Sequence, residues 1–419
     1  MTYRKQRVAV TGIGLLTSIG RDKAENWRSL AAGRSGVKPL ARFPTAGLST
    51  TIAAVVDHYP GDPDLSCNAR TSLMLGDVLG EALSEAYASP PPPEEVSAAS
   101  VYLAVPGGEM AWADRAEHHK RAGNGGGDPD GLRRLRAKLQ RDGTTSGHYR
   151  DVQARFAFDV PPAIVSTACA SGATAIQMGV DSIRRGDTRM AIAAGADSTV
   201  SPEGLIRFSL LSALSRRNDD PTSASRPFDR DRDGFVMGEG AAALILEDED
   251  HAVARGAEIL GFVAGCGDAT DNFHRTRSNP SGERIRACIA HALEDAAITP
   301  GQISAVNAHG TSTPENDKME ALGLRLAFGD AIGDILVSSN KSMIGHTLAA
   351  AGLVEAAISL LSLRHSLVPP SANVRNLDET LGIKVALEAT AAPDMRYILS
   401  NSFGFGGQNV SLVLERHAG

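Results

Sequence analysis

The sequence predicts an α/β protein in which two similar halves meet near residue 257, and three observations carry that reading. Short runs of β-branched or small apolar residues alternate with helical patterns along the chain, the signature of buried strands joined by helices. The second part of the chain repeats this series. Finally, 419 residues that are 42% apolar and 22% charged suffice for large cores, which excludes a mini-protein, a disordered chain and a coiled coil. The halves read as residues 1–257 and 258–419.

Val8-Ala9-Val10 opens the first half as a strand, and Gly12-Ile13-Gly14 follows it. Two glycines after a strand are part of a dinucleotide-binding fingerprint, but Thr17 stands where the third belongs, so the pair predicts a tight turn. Lys5 and Arg7 before Val8 to Leu16 imitate a signal peptide. Thr11, Gly12 and Gly14 interrupt that run, however, and Arg21-Asp22-Lys23 follows with no small-residue cleavage site, so the chain reads as cytoplasmic. Pro90 to Pro93 and Gly125 to Gly127 read as surface connections. Pro162 to Ala168 reads as a strand that turns at Cys169-Ala170-Ser171-Gly172 into a helix, whose apolar residues Ala173, Ile176, Val180 and Ile183 keep helical spacing. Met190 to Ala193 is the returning strand.

In the second half, Ile259 to Gly265 is a strand and about Glu283 to Ala297 a helix; Ala305 to Asn307 and Ile335 to Ser339 are strands. The near-apolar stretch Thr347 to Leu363 is interrupted by Gly352, Glu355, Ser359 and Ser362 and falls short of the ~20 residues of a membrane span, so it reads as a buried helix. Tyr397 to Ser400 and Val410 to Leu414 are the last strands.

With 42 basic against 49 acidic residues the formal charge is −7, which argues against general nucleic-acid binding and makes any basic surface local. Cys67, Cys169, Cys266 and Cys288 form no CxxC pair, so neither a disulfide framework nor a zinc site is expected, and a reducing compartment fits. Cys266 and Cys288 read as core residues, and Cys67, in a polar turn, receives no role. Cys169 differs because it stands at a helix N-terminus, where unpaired N–H groups and the dipole favour a thiolate. A buried apolar cysteine is the alternative.

His309 follows a short strand in Asn307-Ala308-His309-Gly310-Thr311-Ser312-Thr313-Pro314, and strand carboxyl ends are where α/β folds place ligands. Lys341 and His346 share that context in Asn340-Lys341-Ser342-Met343-Ile344-Gly345-His346. Each alone could be structural, but their recurrence at equivalent strand ends favours a shared site. Ser402-Phe403-Gly404-Phe405-Gly406-Gly407 imitates a phosphate loop, yet it lies between two strands with no helix after it, and its free amides can line an oxyanion pocket instead.

These blocks, with Thr167-Ala168-Cys169-Ala170-Ser171-Gly172, Ser225-Arg226-Pro227-Phe228-Asp229 and Asp233-Gly234-Phe235-Val236-Met237-Gly238-Glu239-Gly240, resemble the beta-ketoacyl-[acyl-carrier-protein] synthases of the elongating type in the thiolase-like superfamily. The resemblance implies a five-layered αβαβα fold of two pseudo-equivalent halves, a homodimer, and decarboxylative condensation with malonyl-acyl carrier protein, without metal or other cofactor. It implies Cys169 as nucleophile, His309 and His346 as hydrogen-bond donors, and Lys341 as an electrostatic residue paired with Glu355, with Glu320 as a further candidate partner. Asp317 and Glu320 support the histidine loop. The N–H groups of Cys169 and Phe405 form an oxyanion hole, with Gly406 in the same loop, and Phe208 and Phe405 gate the acyl channel. A specialised ketosynthase for polyketide, polyene or very-long-chain products and a non-condensing partner subunit are the rival readings.

Two regions depart from the family. Ala104 to Glu109 and residues 110 to 160 do not follow its pattern, leaving chain-length preference open. Between Ser66 and Leu73 only Arg70 remains of the usual basic docking residues, and Ser212 stands where a further arginine is common. Residues 114 to 155, however, hold ten Lys/Arg against six Asp/Glu. Arg133, Arg134 and Arg136 there, with Arg70 and Arg207, are the candidate carrier-docking residues; a solvated helix face is the alternative.

Overall fold

The computed structural model describes residues 6–61, 65–87, 93–110, 112–123 and 128–418. The connections read at 90–92 and 125–127 lie outside the described residues. Eleven strands form one mixed sheet: β1 (Val8–Thr17), β2 (Ser100–Ala104), β3 (Ala163–Val165), β4 (Met190–Asp197), β5 (Gly240–Asp248), β6 (Gly261–Thr270), β7 (Ile303–Asn307), β8 (Leu336–Ser338), β9 (Lys384–Val385), β10 (Tyr397–Phe403) and β11 (Gln408–Glu415). Their spatial order is β3-β2-β4-β5-β1-β6-β11-β10-β7-β8-β9.

That order contains one arrangement twice. From the centre outwards, β1 pairs antiparallel with β5 and β5 with β4, after which β2 and β3 add in parallel. From the same centre, β6 pairs antiparallel with β11 and β11 with β10, after which β7 and β8 add in parallel. Within the sheet the two halves join where Val8–Val10 pair with Gly261–Val263.

Nine helices position the site: α1 (Cys67–Tyr87), α2 (Trp112–Gly123), α3 (Pro129–Asp142), α4 (Ser146–Phe156), α5 (Ser171–Arg184), α6 (Pro202–Leu210), α7 (Glu283–Asp295), α8 (Pro314–Phe328) and α9 (Ala351–His365). α5 and α9 pack against each other between the half-sheets, touching β4 and β5 on one side and β11 on the other. α1 covers the outer face of β1, β5 and β4, while α7, with α8 beside it, covers β6 and β11. The result is the five-layered thiolase-like fold. Every residue of α9 from Ala351 to Leu363 is buried, as a helix with no polar face requires. Leu348–His365 meets the length and composition of a membrane span, but 89% of it is buried inside the protein.

Gly12 and Gly14 form no turn. β1 runs straight through them, with an irregularity in its pairing between Val10 and Gly12. Their role is to let α1 approach: a Cβ on Gly12 would lie 2.1 Å from the Ala82 carbonyl oxygen, and one on Gly14 2.0 Å from that of Val78. Cys67 likewise lies in no polar turn, since it opens α1. The divergent segment folds into α2, α3 and α4; α2 buries none of its residues and α3 only Gly131, whereas α4 packs on α1 and buries His148 and Val152. The segment is tied to α6 where the Trp112 N–H donates to Glu203 Oε1 at 2.9 Å.

Candidate active site

Cys169 sits on a 3₁₀ turn, Ala168–Ala170, between β3 and α5. Ala168 has φ of +50°, a left-handed conformation that disfavours a residue with a Cβ and marks a strained turn. Ser171 Oγ holds it by accepting from the Thr167 N–H at 2.8 Å and donating to the Ala168 carbonyl at 2.6 Å. The turn presents Cys169 to a cavity of about 250 Å³ whose walls include Phe208, Phe235, His309, His346 and Phe403.

The second half delivers the other groups from the carboxyl ends of β7, β8 and β10, which are parallel neighbours. His346 Nδ1 accepts the Leu348 N–H at 3.2 Å, so the neutral ring carries its proton on Nε2, which lies 3.2 Å from Cys169 Sγ. His309 Nδ1 lies 3.4 Å from Lys341 Nζ. An ammonium only donates, so Nδ1 accepts and His309 also carries its proton on Nε2. Burial first, then the Lys341 charge, holds both histidines well below the usual histidine range. Their rings stand 5.3 Å apart and nearly perpendicular. The site therefore holds two neutral imidazoles, both assigned as Nε2–H donors by their hydrogen bonds.

Lys341 is fully buried and ion-paired with Glu355, equally buried. Burial pushes the Glu355 carboxyl up to about 7, with the Lys341 charge opposing it. Removing one member of such a pair leaves an uncompensated buried charge, a loss of about 3–5 kcal/mol. Glu320 is not the partner of Lys341. It accepts instead from the N–H groups of His309 and Gly310, at 2.8 and 2.7 Å, and from Asn401 Nδ2 at 3.1 Å. Asp317 accepts from the N–H groups of Phe228 and Ser312. Both carboxylates hold the histidine loop.

Burial works against the thiolate expected at Cys169. Burial pushes this thiol up to about 11, outweighing the opposing Lys341 charge and the hydrogen bond from the Phe405 N–H. The Gly406 N–H is engaged by the Arg275 carbonyl at 2.8 Å, so Gly406 contributes a turn, with φ of +96°, rather than an oxyanion donor. Phe208 meets Phe235 edge-on at 5.3 Å, and Phe235 meets His346 at the same distance, forming an aromatic chain that ends on His346.

The docking candidates divide. Arg70 is fully buried in α1, with Nη1 3.5 Å from Ser198 Oγ, so it cannot meet a carrier; nothing in its local sequence distinguishes it from a surface arginine. Arg133, Arg134 and Arg136 are exposed on α3, Arg133 paired with Asp130 at 2.8 Å and Arg136 bonded to His118 at 3.1 Å. Arg207 is exposed and lies 3.4 Å from Glu109. Sequence reasoning missed Phe235, Phe403 and the cavity wall formed by the loop after β6. Two arginines beside a histidine in that loop were the available signal.

A cysteine on a strained turn before a buried helix, faced by two neutral histidines in a duplicated five-layered fold, defines a thiolase-like acyltransferase. The chain matches the beta-ketoacyl synthase N-terminal domain over residues 5–62 and 78–252 and the C-terminal domain over 260–375. It is 35% identical over 418 residues to 3-oxoacyl-[acyl-carrier-protein] synthase 2 of Coxiella burnetii, covering 98% of this chain and 99% of the relative. It is 36% identical to the enzyme of the same name from Vibrio cholerae, covering 98% and 99%. Among solved structures, the ishigamide ketosynthase/chain length factor aligns with a TM-score of 0.85 and 30% identity, covering 99% of this chain and all of that one. A type II polyketide ketosynthase in complex with its acyl-carrier protein aligns with a TM-score of 0.88 and 26% identity, covering 99% and 100%. The chain belongs to the beta-ketoacyl synthase family.

Proposed function

We infer that this enzyme catalyses the decarboxylative Claisen condensation of an acyl group held on Cys169 with malonyl-acyl carrier protein, giving 3-oxoacyl-acyl carrier protein in fatty acid elongation. The observation that carries the reading is the pair of Nε2–H donors on His309 and His346 beside Cys169. Cys169, reacting as the thiolate, attacks the acyl thioester, and the carrier thiol leaves. The N–H groups of Cys169 and Phe405 stabilise the tetrahedral oxyanion. The malonyl thioester then places its carbonyl oxygen between the two imidazoles. As CO₂ departs, the bonding pair becomes an enolate whose oxygen accepts both Nε2–H bonds, and the enolate carbon attacks the acyl-cysteine to release the thiolate. Neutral imidazoles suit this step because neither needs to gain or lose a proton. Phe208 and Phe405 gate the acyl channel, and no metal or redox cofactor takes part. The enzyme works in the reducing cytoplasm; its free cysteines accord with this. A homodimer accords with β3, whose outer edge is unpaired among the described residues.

The test is incubation with acyl and malonyl carrier proteins. The expected result is a Cys169 peptide heavier by the acyl group, CO₂ release, and a 3-oxoacyl product. Product formation with no acyl-Cys169 intermediate would refute the mechanism. A specialised polyketide ketosynthase is the second reading, favoured by the polyketide ketosynthase neighbours and by the divergent helices α2 to α4. The mass of the chain retained on Cys169 decides between the two.

The partner is an acyl carrier protein, an acidic protein that must find a local basic face on a chain of charge −7. Reversing Arg133, Arg134 and Arg136 to glutamate is expected to raise KM for carrier-borne substrate severalfold relative to that for pantetheine thioesters. The wild-type carrier KM should rise between ~0.05 and ~0.5 M salt as the Debye length shrinks. An unchanged ratio of the two KM values would remove α3 from the docking surface.

A further inference from the structure

The mouth of the active-site cavity carries two arginines that the condensation chemistry does not use. The loop between β6 and α7 contributes Asp271, His274, Arg275, Thr276, Arg277 and Ser278 to the cavity wall. Arg275 and Arg277 are exposed, and among the described residues neither forms an ion pair. Other arginines are matched by carboxylates: Arg207 with Glu109, Arg232 with Asp378 and Arg375 with Asp220.

This loop is held in place. Buried Asp271 accepts the Phe273 N–H on Oδ1 at 3.0 Å and the Asn279 N–H on Oδ2 at 2.7 Å, closing the loop at both ends. The Asp271 N–H donates to the Gly407 carbonyl, and the Gly406 N–H donates to the Arg275 carbonyl, each at 2.8 Å. A Cβ at Gly407 would lie 1.7 Å from the Asp271 carbonyl oxygen, so the contact requires glycine there. The backbone of Arg275 is thus bound directly to the hairpin that presents Phe405 to Cys169. The Asp271 carboxylate is engaged by loop N–H groups, and the other acidic wall residue, Glu315, lies in the first turn of α8, where the helix dipole favours it. Neither occupies the arginines.

We propose that Arg275 and Arg277 bind the phosphodiester of the phosphopantetheine arm as it enters the cavity, so that the enzyme selects thioesters carrying that phosphate over the same acyl groups on unphosphorylated pantetheine. The proposal rests on the condensing function inferred above. Between the carrier protein and the thioester the arm has one charged group, its phosphate; the rest is neutral amide chain. Two guanidinium forks on a clamped loop at the entrance provide the bidentate, charge-assisted bonds that phosphate oxygens favour. Acidic side chains of the carrier are the competing source of the anion.

The test compares kcat/KM for malonyl groups on phosphopantetheine, on pantetheine and on carrier protein, in the wild type and in the Arg275→Met/Arg277→Ser double variant. The wild type is expected to favour phosphopantetheine over pantetheine about tenfold or more, the size of one to two hydrogen bonds to a charged group. In the double variant that ratio should fall to about one. The readout is a ratio, so a general loss of folded enzyme does not move it. Equal wild-type values for the two small substrates, or a preference that survives in the variant, overturns the proposal. A variant impaired only with carrier-borne substrate also overturns it, because the arginines would then meet the carrier protein itself. Failure of the condensing function is distinct: no 3-oxo product would form from any of the three donors.

Discussion

Replacing Cys169 with serine is expected to reduce condensation by at least ~10³-fold, the scale on which loss of a catalytic nucleophile acts. A hydroxyl in this position needs a general base. The neighbouring His346 cannot serve as one in its resting form, since its Nδ1 accepts the Leu348 N–H and its Nε2 carries the proton facing Sγ. The same geometry orders the cysteines by reactivity. Burial raises the thiol of Cys169 to about 11 and that of Cys288 to about 12, and raises Cys67 further still. Iodoacetamide should therefore modify Cys169 first. Because the raised value leaves only a small thiolate fraction at pH 7, the alkylation rate should climb about tenfold per pH unit until it levels off near 11. Earlier labelling of another cysteine, together with retained activity in Cys169→Ser, would refute the assignment.

The second large effect separates the two half-reactions. His309→Ala should still accept an acyl group on Cys169 but release CO₂ from malonyl carrier protein ~10²–10³-fold more slowly, because it removes one of the two donors to the developing enolate. Cys169→Gln should do the reverse, keeping decarboxylation while losing acyl transfer. Both histidines are held well below the usual histidine range, so each is already neutral at pH 6.5. Raising the pH from there should leave decarboxylation unaffected by their titration. If both variants lost CO₂ release equally, the division of labour would be wrong. Lys341 tests the electrostatic frame: its charge reaches Cys169, His309 and His346 together, so no single half-reaction isolates it.

Local pattern and composition were enough to read the α/β class and the repetition of two halves, and the resemblance carried by the motif blocks singled out the residues that meet at the site. Cys169, His309, Lys341 and His346 each stand where a short apolar strand gives way to a loop or helix, and that junction is written within a few residues of chain. The all-round burial of α9 was legible for the same reason, since a helix without a polar face has nowhere to go but the core.

Tertiary structure decided whatever depends on a partner far along the chain. Gly12 and Gly14 resembled a turn because the carbonyls that exclude their side chains belong to Ala82 and Val78, on a helix some seventy residues later. Arg70 resembled a docking residue because only the packing of α1 buries it. Glu320 was a possible second partner of Lys341 beside Glu355 until the fold placed it on the N–H groups of the histidine loop and left Glu355 on the ammonium. The raised Cys169 thiol arises from desolvation in a cavity that both halves close, where His346 of the second half meets Cys169 of the first. Chain chemistry specifies which groups exist; their charge, proton position and access are set by neighbours that only folding supplies.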